Sequence, residues 1–167
     1  PRKNIPFLVD VFERLAADYP GDLVLAGAPG WKVGPLLDQI RHSPVAGRIR
    51  QVDFVPDGDL PALYAGADLF LCASHYEGFG FPPLEAMACG TPVISSPGGS
   101  LREVLGNASV MLEPADPEIW CDSIRETLAN SERRRSLAAA GVARAALFSW
   151  LETARRTWDV YRKVAAS

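Results

Sequence analysis

Apolar and polar positions alternate between two rhythms from the start of the chain to about residue 113. Between Ile5 and Tyr19 the apolar residues Phe7, Leu8, Val11, Phe12 and Leu15 recur at the three- and four-residue spacing of one helical face. Pro20-Gly21 closes that segment. Leu23-Val24-Leu25-Ala26-Gly27 is then an unbroken apolar run of strand length, which predicts a strand buried on both faces. A turn at Pro29-Gly30 leads to a helix from about Val33 to His42. The alternation continues with a strand over Arg50–Val55, a helix from about Leu60 to Ala65, and a strand over Asp68–Ala73. A helix over Pro82–Cys89, a strand over Pro92–Ser96, a short helix from about Ser100 to Leu105 and a strand near Ser109–Leu112 complete it. Strands and helices joined by connections of a few residues build βαβ units, so the fold class is α/β with a Rossmann-like parallel sheet.

Beyond Glu113 the pattern is helical throughout. Asp116 stands where an N-cap belongs, with Pro117 in the first turn of a helix to Asn130. A second helix runs from Glu132 to about Leu147. Ser149 and Glu152 spell a capping box for the last one, whose apolar positions include Leu151, Ala154, Trp158 and Tyr161. The whole chain, 1–167, reads as one domain with 116–167 as its helical C-terminal tail. It opens on a loop and a helix, with no strand ahead of that helix. In a doubly wound sheet of order 3-2-1-4-5-6 the strand so lacking is the central one, and the five strands above are the second to sixth.

Composition changes this picture little. At 167 residues with 48% apolar and 22% charged residues, the chain is of globular type. A formal net charge of -3 speaks against a nucleic-acid partner, which requires a basic surplus. No apolar run approaches the ~18 residues of a membrane span, and Pro1-Arg2-Lys3-Asn4 lacks a signal-peptide core, so a soluble, cytoplasmic domain is expected. Cys72, Cys89 and Cys121 are scattered and odd in number, which predicts reduced, packed thiols. His42 and His75 have no second ligand at metal-binding spacing, so no zinc is expected. The sequon Asn107-Ala108-Ser109 matters only in a secreted chain.

Candidate chemistry concentrates between Ser74 and Gly90. This segment follows an apolar strand and opens a helix, placing it at the carboxyl edge of the sheet, where open α/β folds bind ligands. Gly78 and Gly80 let backbone approach a ligand closely, and the helix N-terminus beyond them favours a phosphate. Glu77 and Glu85, eight residues apart, can face one pocket from two heights as acceptors for the hydroxyls of a sugar or ribose. A glycine turn followed by a helix with an exposed glutamate accounts for the same spacing.

Glu77 and Glu85, set in EGFGFPPLEAMACGTPVISS, resemble the E-x7-E signature of retaining glycosyltransferases of family 4, which have the GT-B fold. LVLAG, VDFVPDGDLPALYAGADLFLCAS, SLREVLGNASVMLEP and the closing helices also resemble that family, in its order and over nearly the whole chain. The resemblance implies a C-terminal, donor-binding domain of a two-domain enzyme whose cleft, and hence turnover, needs an N-terminal acceptor half. The isolated chain is therefore expected to be inactive. Carried over by position, Lys3 meets the donor diphosphate, and Gly78, Phe79 and Gly80 approach the sugar and phosphates. Glu77 lies beside the sugar hydroxyls, Glu85 holds the ribose, Val55 and Asp57 border the base, and Glu103 helps shape the phosphate side. Glu77 and Lys3 are the catalytic candidates. Arg2-Lys3-Asn4 resembles the family's lysine-bearing loop, and the phosphate-binding arginine that the family carries a few residues before that loop is expected ahead of Pro1.

The implied substrate is a nucleoside-diphosphate sugar, with GDP-mannose favoured by the PRKNIP opening and a UDP-sugar as second choice; no cofactor is implied. The partner is a glycan or lipid-linked acceptor. Asp57-Gly58-Asp59 spells a D-x-D, which in another glycosyltransferase fold holds a metal, but here it reads as a turn with an acidic helix cap. Arg133-Arg134-Arg135 reads as a solvated helix face, with weak attraction to the cytoplasmic face of an anionic membrane as a minor reading. The rival functions are a noncatalytic nucleotide-binding or assembly module and half of a sugar-nucleotide epimerase.

Overall fold

The computed structural model describes residues 2–28, 30 and 33–166; Pro1, and the Pro29 of the expected turn, lie outside them. The elements follow the order α1 (Ile5–Leu15), β1 (Leu23–Ala26), α2 (Gly34–His42), β2 (Ile49–Val52), α3 (Leu60–Ala65), β3 (Phe70–Cys72) and α4 (Phe81–Ala88). They continue with β4 (Val93–Ser95), α5 (Leu101–Leu105), β5 (Val110–Met111), α6 (Pro117–Ala129), α7 (Ser131–Ala145) and α8 (Trp150–Ala165). All five expected strands form, each shorter than its apolar run. Their ladders are parallel and fall into two groups among the described residues, β1-β2 and β3-β4-β5.

Helix α1 ties the groups together because its apolar face is wide. Leu8, Val11 and Leu15 pack with Ile94 of β4 and with Trp120, Cys121 and Ile124 of α6. Val9 and Phe12, turned round the helix, pack with Ile40 of α2 and Ile49 of β2. Each such fully buried side chain contributes about 1.5–3 kcal/mol of transfer free energy. The buried indole of Trp120 is satisfied by donating to the Glu113 carbonyl at 3.0 Å. On the opposite face of β3–β5, Cys72 and Val93 meet Leu84 and Met87 of α4, Leu101, Val104 and Leu105 of α5, and Ala145 of α7. Strand β4 is thus covered from both sides, with Val93, Ile94 and Ser95 fully buried.

Strand β1 corrects an expectation. Leu23 and Leu25 join the cluster under α1 and α2, but Val24 is 46% exposed and Ala26 is also exposed. Burial therefore alternates, because among the described residues no helix covers the second face. An unbroken apolar run cannot report which of its faces has a neighbour.

The caps divide similarly. Asp116 accepts from the Glu118 amide at 2.9 Å, as its position predicts. Ser149 accepts from the Glu152 amide at 3.0 Å, yet the Glu152 carboxylate turns to Arg155 and Arg156 instead of closing the box. Those hydrogen bonds hold its pKa down to about 2. Asp59 stands at the N-cap of α3 with its backbone already helical and makes no side-chain cap, so the acidic-cap expectation for this turn fails. Leu151, Trp158 and Tyr161 of α8 remain exposed. Cys72, Cys89 and Cys121 are free thiols, the first and last buried. Among the described residues, no helix is long and apolar enough to cross a membrane.

Candidate functional site

The carboxyl ends of β3 and β4 carry two loops that lie against each other. The Ser96 amide donates to the Cys72 carbonyl at 2.7 Å and its hydroxyl to the Ser74 carbonyl at 2.5 Å. Further along, Glu77 and Gly99 form a parallel bridge, and the Ser100 amide donates to the Glu77 carbonyl at 3.0 Å. The Ser100 hydroxyl reaches the carbonyls of Phe79 at 2.9 Å and Glu77 at 3.1 Å. This contact explains the Gly98-Gly99 pair. A Cβ on Gly98 would sit 2.5 Å from the His75 carbonyl oxygen, and Gly99, at φ +66°, would bring one within 2.9 Å of the Glu77 amide nitrogen. No other residue type fits there.

The glutamate at the centre of this clasp is buried. Glu77 is 6% exposed and accepts hydrogen bonds from Ser74 Oγ at 2.8 Å and Lys3 Nζ at 2.7 Å on Oε1, and from the Arg2 guanidinium on Oε2. Burial pushes the carboxyl's pKa up, but the bonds from Lys3, Ser74 and Arg2 together outweigh it and hold the group below its ordinary range. Arg2 is fixed twice more. Its Nη1 donates to the Tyr76 carbonyl at 3.1 Å, and its own carbonyl accepts from the His75 amide at 2.9 Å. Asn4, at φ 52°, makes the left-handed step between the Arg2-Lys3 turn and α1; asparagine tolerates that conformation better than most residues. Two cations face one carboxylate, so the cluster retains a positive charge at the sheet's carboxyl edge.

Glu85, in contrast, is exposed on α4, and Oε2 accepts from the Tyr64 hydroxyl at 2.9 Å. Burial and the neighbouring carboxylate hold the Tyr64 phenol well above its ordinary range, so it stays a donor. Gly80, at φ +100°, turns the glycine loop into the first residue of α4. Gly78 is open, with no atom within 4 Å of a Cβ built on it. Phe79 packs on Phe81, centroids 4.6 Å apart, and edge-on against Phe148.

Among the described residues, the remaining candidates make no hydrogen bond or ion pair with Arg2, Lys3, Ser74 or Glu77. Half-buried Val55 and exposed Asp57 occupy the loop between β2 and α3. Glu103 is exposed on α5, where its carbonyl, not its carboxylate, accepts from Arg144 at 2.5 Å. A cavity of about 230 Å³ opens at the same sheet edge, lined by Ser74, His75, Ser96, Pro97, Gly98, Glu113 and Pro114. It is smaller than the roughly 300–1,000 Å³ of a complete small-molecule site. Arg2, Ser74, Ser100 and Tyr64 escaped the sequence reading. Arg2 was detectable as a second cation beside Lys3, and Ser74 as a hydroxyl three residues before Glu77. Tyr64 lies 21 residues from Glu85 and gave no local signal.

With this geometry in place, the relatives are informative. The family model described as glycosyl transferases group 1 matches residues 1–144. The chain is 39% identical over 166 residues to the O-antigen chain mannosyltransferase B of Escherichia coli, covering 97% of this chain and 43% of that protein. It thus spans less than half the length of that curated relative. Sucrose-phosphate synthase from Thermosynechococcus elongatus superposes with a TM-score of 0.88 at 30% identity, over 99% of this chain and 43% of that one. Anabaena HepE, solved with UDP-glucose, shares the fold with a TM-score of 0.87 at 22% identity, over 98% of this chain and 46% of its own. The paired loops, the buried Glu77 and the α/β frame are therefore those of a chain that belongs to the group 1 glycosyl transferases.

Proposed function

We propose that this chain is the donor-binding domain of a retaining glycosyltransferase that moves a hexosyl group, mannosyl by preference, from a nucleoside-diphosphate sugar to a glycan or lipid-linked acceptor. The observation that carries the reading is the cluster of Arg2, Lys3 and buried Glu77 beneath an open glycine loop. Its surplus positive charge suits a diphosphate, whose charge grows as the glycosidic bond breaks. Lys3 then exchanges its partner from Glu77 to phosphate, and Arg2 shares in neutralising the diphosphate. Glu77, its carboxylate held ionised, accepts from the sugar hydroxyls. Glu85 accepts from the ribose, Val55 and Asp57 border the base, and Glu103 flanks the phosphates. The donor GDP-mannose is supported by the 39% identity to a mannosyltransferase; a UDP-sugar is the alternative.

One more parallel strand belongs between β1 and β3 in this reading. Among the described residues β1 pairs with β2 alone and β3 with β4 alone, while the Arg2 carbonyl already accepts from His75 just beyond β3. The acceptor is held by a further part of the protein, across a cleft that the 230 Å³ cavity borders. The test is transfer from GDP-mannose and UDP-glucose by the intact protein, with the product's anomeric configuration read by NMR. Mannosyl transfer with retained configuration is expected; inversion, or a requirement for manganese after chelation, contradicts the reading.

A further inference from the structure

The hydroxyl of Tyr64 is the single hydrogen-bond donor placed on Glu85 among the contacts described, and three features fix where it points. Its carbonyl accepts from Thr91 Oγ1 at 2.6 Å, just beyond α4. Its ring meets Phe70 of β3 edge-on, centroids 5.7 Å apart, and packs against the core cluster shared by α4 and β3. The phenol therefore arrives at Glu85 from a rigid position, whereas Glu85 is an exposed, flexible side chain on a helix surface.

We propose that Tyr64 is a positioning residue that orients the Glu85 carboxylate for ribose and thereby helps the site select ribonucleotides; this rests on the assignment of Glu85 to the ribose above. One lone pair of Oε2 is occupied by the phenol, which fixes the carboxylate plane. Oε1 and the remaining lone pair of Oε2 are left to accept two hydroxyls. A vicinal diol offers two donors on adjacent carbons, so a carboxylate held in one orientation meets both at a lower entropic cost than a free rotor. Burial and the neighbouring carboxylate hold the Tyr64 phenol well above its ordinary range, so it keeps its proton and remains a donor at neutral pH.

The experiment measures affinities of the intact protein for GDP and UDP and for the 2′,3′-dideoxy form of whichever binds tighter. Four proteins are compared: the parent, Tyr64→Phe, Glu85→Ala and the double variant. Tyr64→Phe keeps the ring and its packing, and its melting temperature checks that the fold is intact. It is expected to weaken the ribonucleotide about 3- to 10-fold, the value of one hydrogen bond, and the dideoxy form less than about twofold. In the Glu85→Ala background it should add nothing, since residues acting through one contact are not additive. Equal weakening of both nucleotides, a full extra loss in the double variant, or no effect of Tyr64→Phe where Glu85→Ala is severe would overturn the positioning role alone. No effect of Glu85→Ala, or no binding of either nucleotide to the parent, would instead remove the ribose assignment beneath it.

Discussion

Glu77 and Glu85 are eight residues apart and occupy opposite environments. Glu77 sits in a loop clasped by another loop, buried, with donors from three side chains on its two oxygens. Glu85 sits on a helix surface with one tyrosine as partner. The Glu77 carboxylate is held by several donors inside a clasp, while Glu85 on its exposed helix takes its orientation from the single phenol of Tyr64. The buried group suits the reacting sugar, where misplacement by an ångström is expensive. The exposed one suits a handle that tolerates adjustment.

The largest expected effect comes from removing the prepared carboxylate. Glu77→Ala in the intact protein should lower turnover by on the order of 10²-fold, comparable with losing one preorganised polar contact in an active site. Steady-state kinetics measures this, and near-parental turnover would place the chemistry elsewhere. The clasp itself can be broken by Gly99→Ala, which forces a Cβ against the Glu77 backbone at positive φ. That should cost about 2–4 kcal/mol and lower the melting temperature by roughly 5–15 °C. A melt within a degree or two of the parent's would mean the two loops are not held together as described.

Acid sharpens the contrast further. Glu77 is held below its ordinary pKa, so its ionised form stabilises the fold at pH values above the unfolded value near 4.3. That contribution is lost as pH falls through the lower, folded value. Glu152, held to about 2 by Arg155 and Arg156, titrates in the same region, so the informative quantity is the stability difference between the parent and Glu77→Gln. Denaturant melts should find that difference greatest at neutral pH and shrinking below about pH 4. A gap that widens in acid would reverse the sign assigned to Glu77. The smallest effect belongs to Ser100→Ala, which removes one hydroxyl from the clasp and should cost about 1 kcal/mol in the same melts. No measurable loss would leave the backbone bridge as the whole clasp.

Much of the frame was legible because both its signals are local. The pattern of apolar and turn residues located the five strands and eight α-helices of the described residues, though not the short 3-10 turns at Ala46–Arg48 and Gly106–Ala108, and Asp116 and Ser149 cap where their positions predict. What escaped depends on contacts distant in sequence. The run Leu23–Gly27 looked buried on both faces, yet Val24 is exposed, since a strand's residues do not say whether a helix lies above them. The types and spacing of the glycine loop and both glutamates placed them at the carboxyl edge of the sheet, and the structure sets them between β3 and α4 and on α4 itself. Their partners were not legible: Arg2 meets Glu77 across 75 residues and Tyr64 meets Glu85 across 21, through packing that no local pattern encodes. The Asp57-Gly58-Asp59 turn shows the converse failure, where an acidic residue at the right position does not cap because its backbone is already helical.

The central claim is the division of labour between the two carboxylates, and calorimetry on three proteins tests it most directly. Binding of GDP or UDP, and of the matching nucleotide sugar, is measured for the intact parent, Glu77→Ala and Glu85→Ala. Glu85→Ala should weaken the bare diphosphate and the sugar-bearing donor alike, by about 10- to 150-fold. Glu77→Ala should leave the bare diphosphate unchanged or slightly tighter, because the two cations are freed from their carboxylate, and should weaken only the sugar-bearing donor. Loss of diphosphate binding in Glu77→Ala with full retention in Glu85→Ala would reverse the two roles and contradict the account.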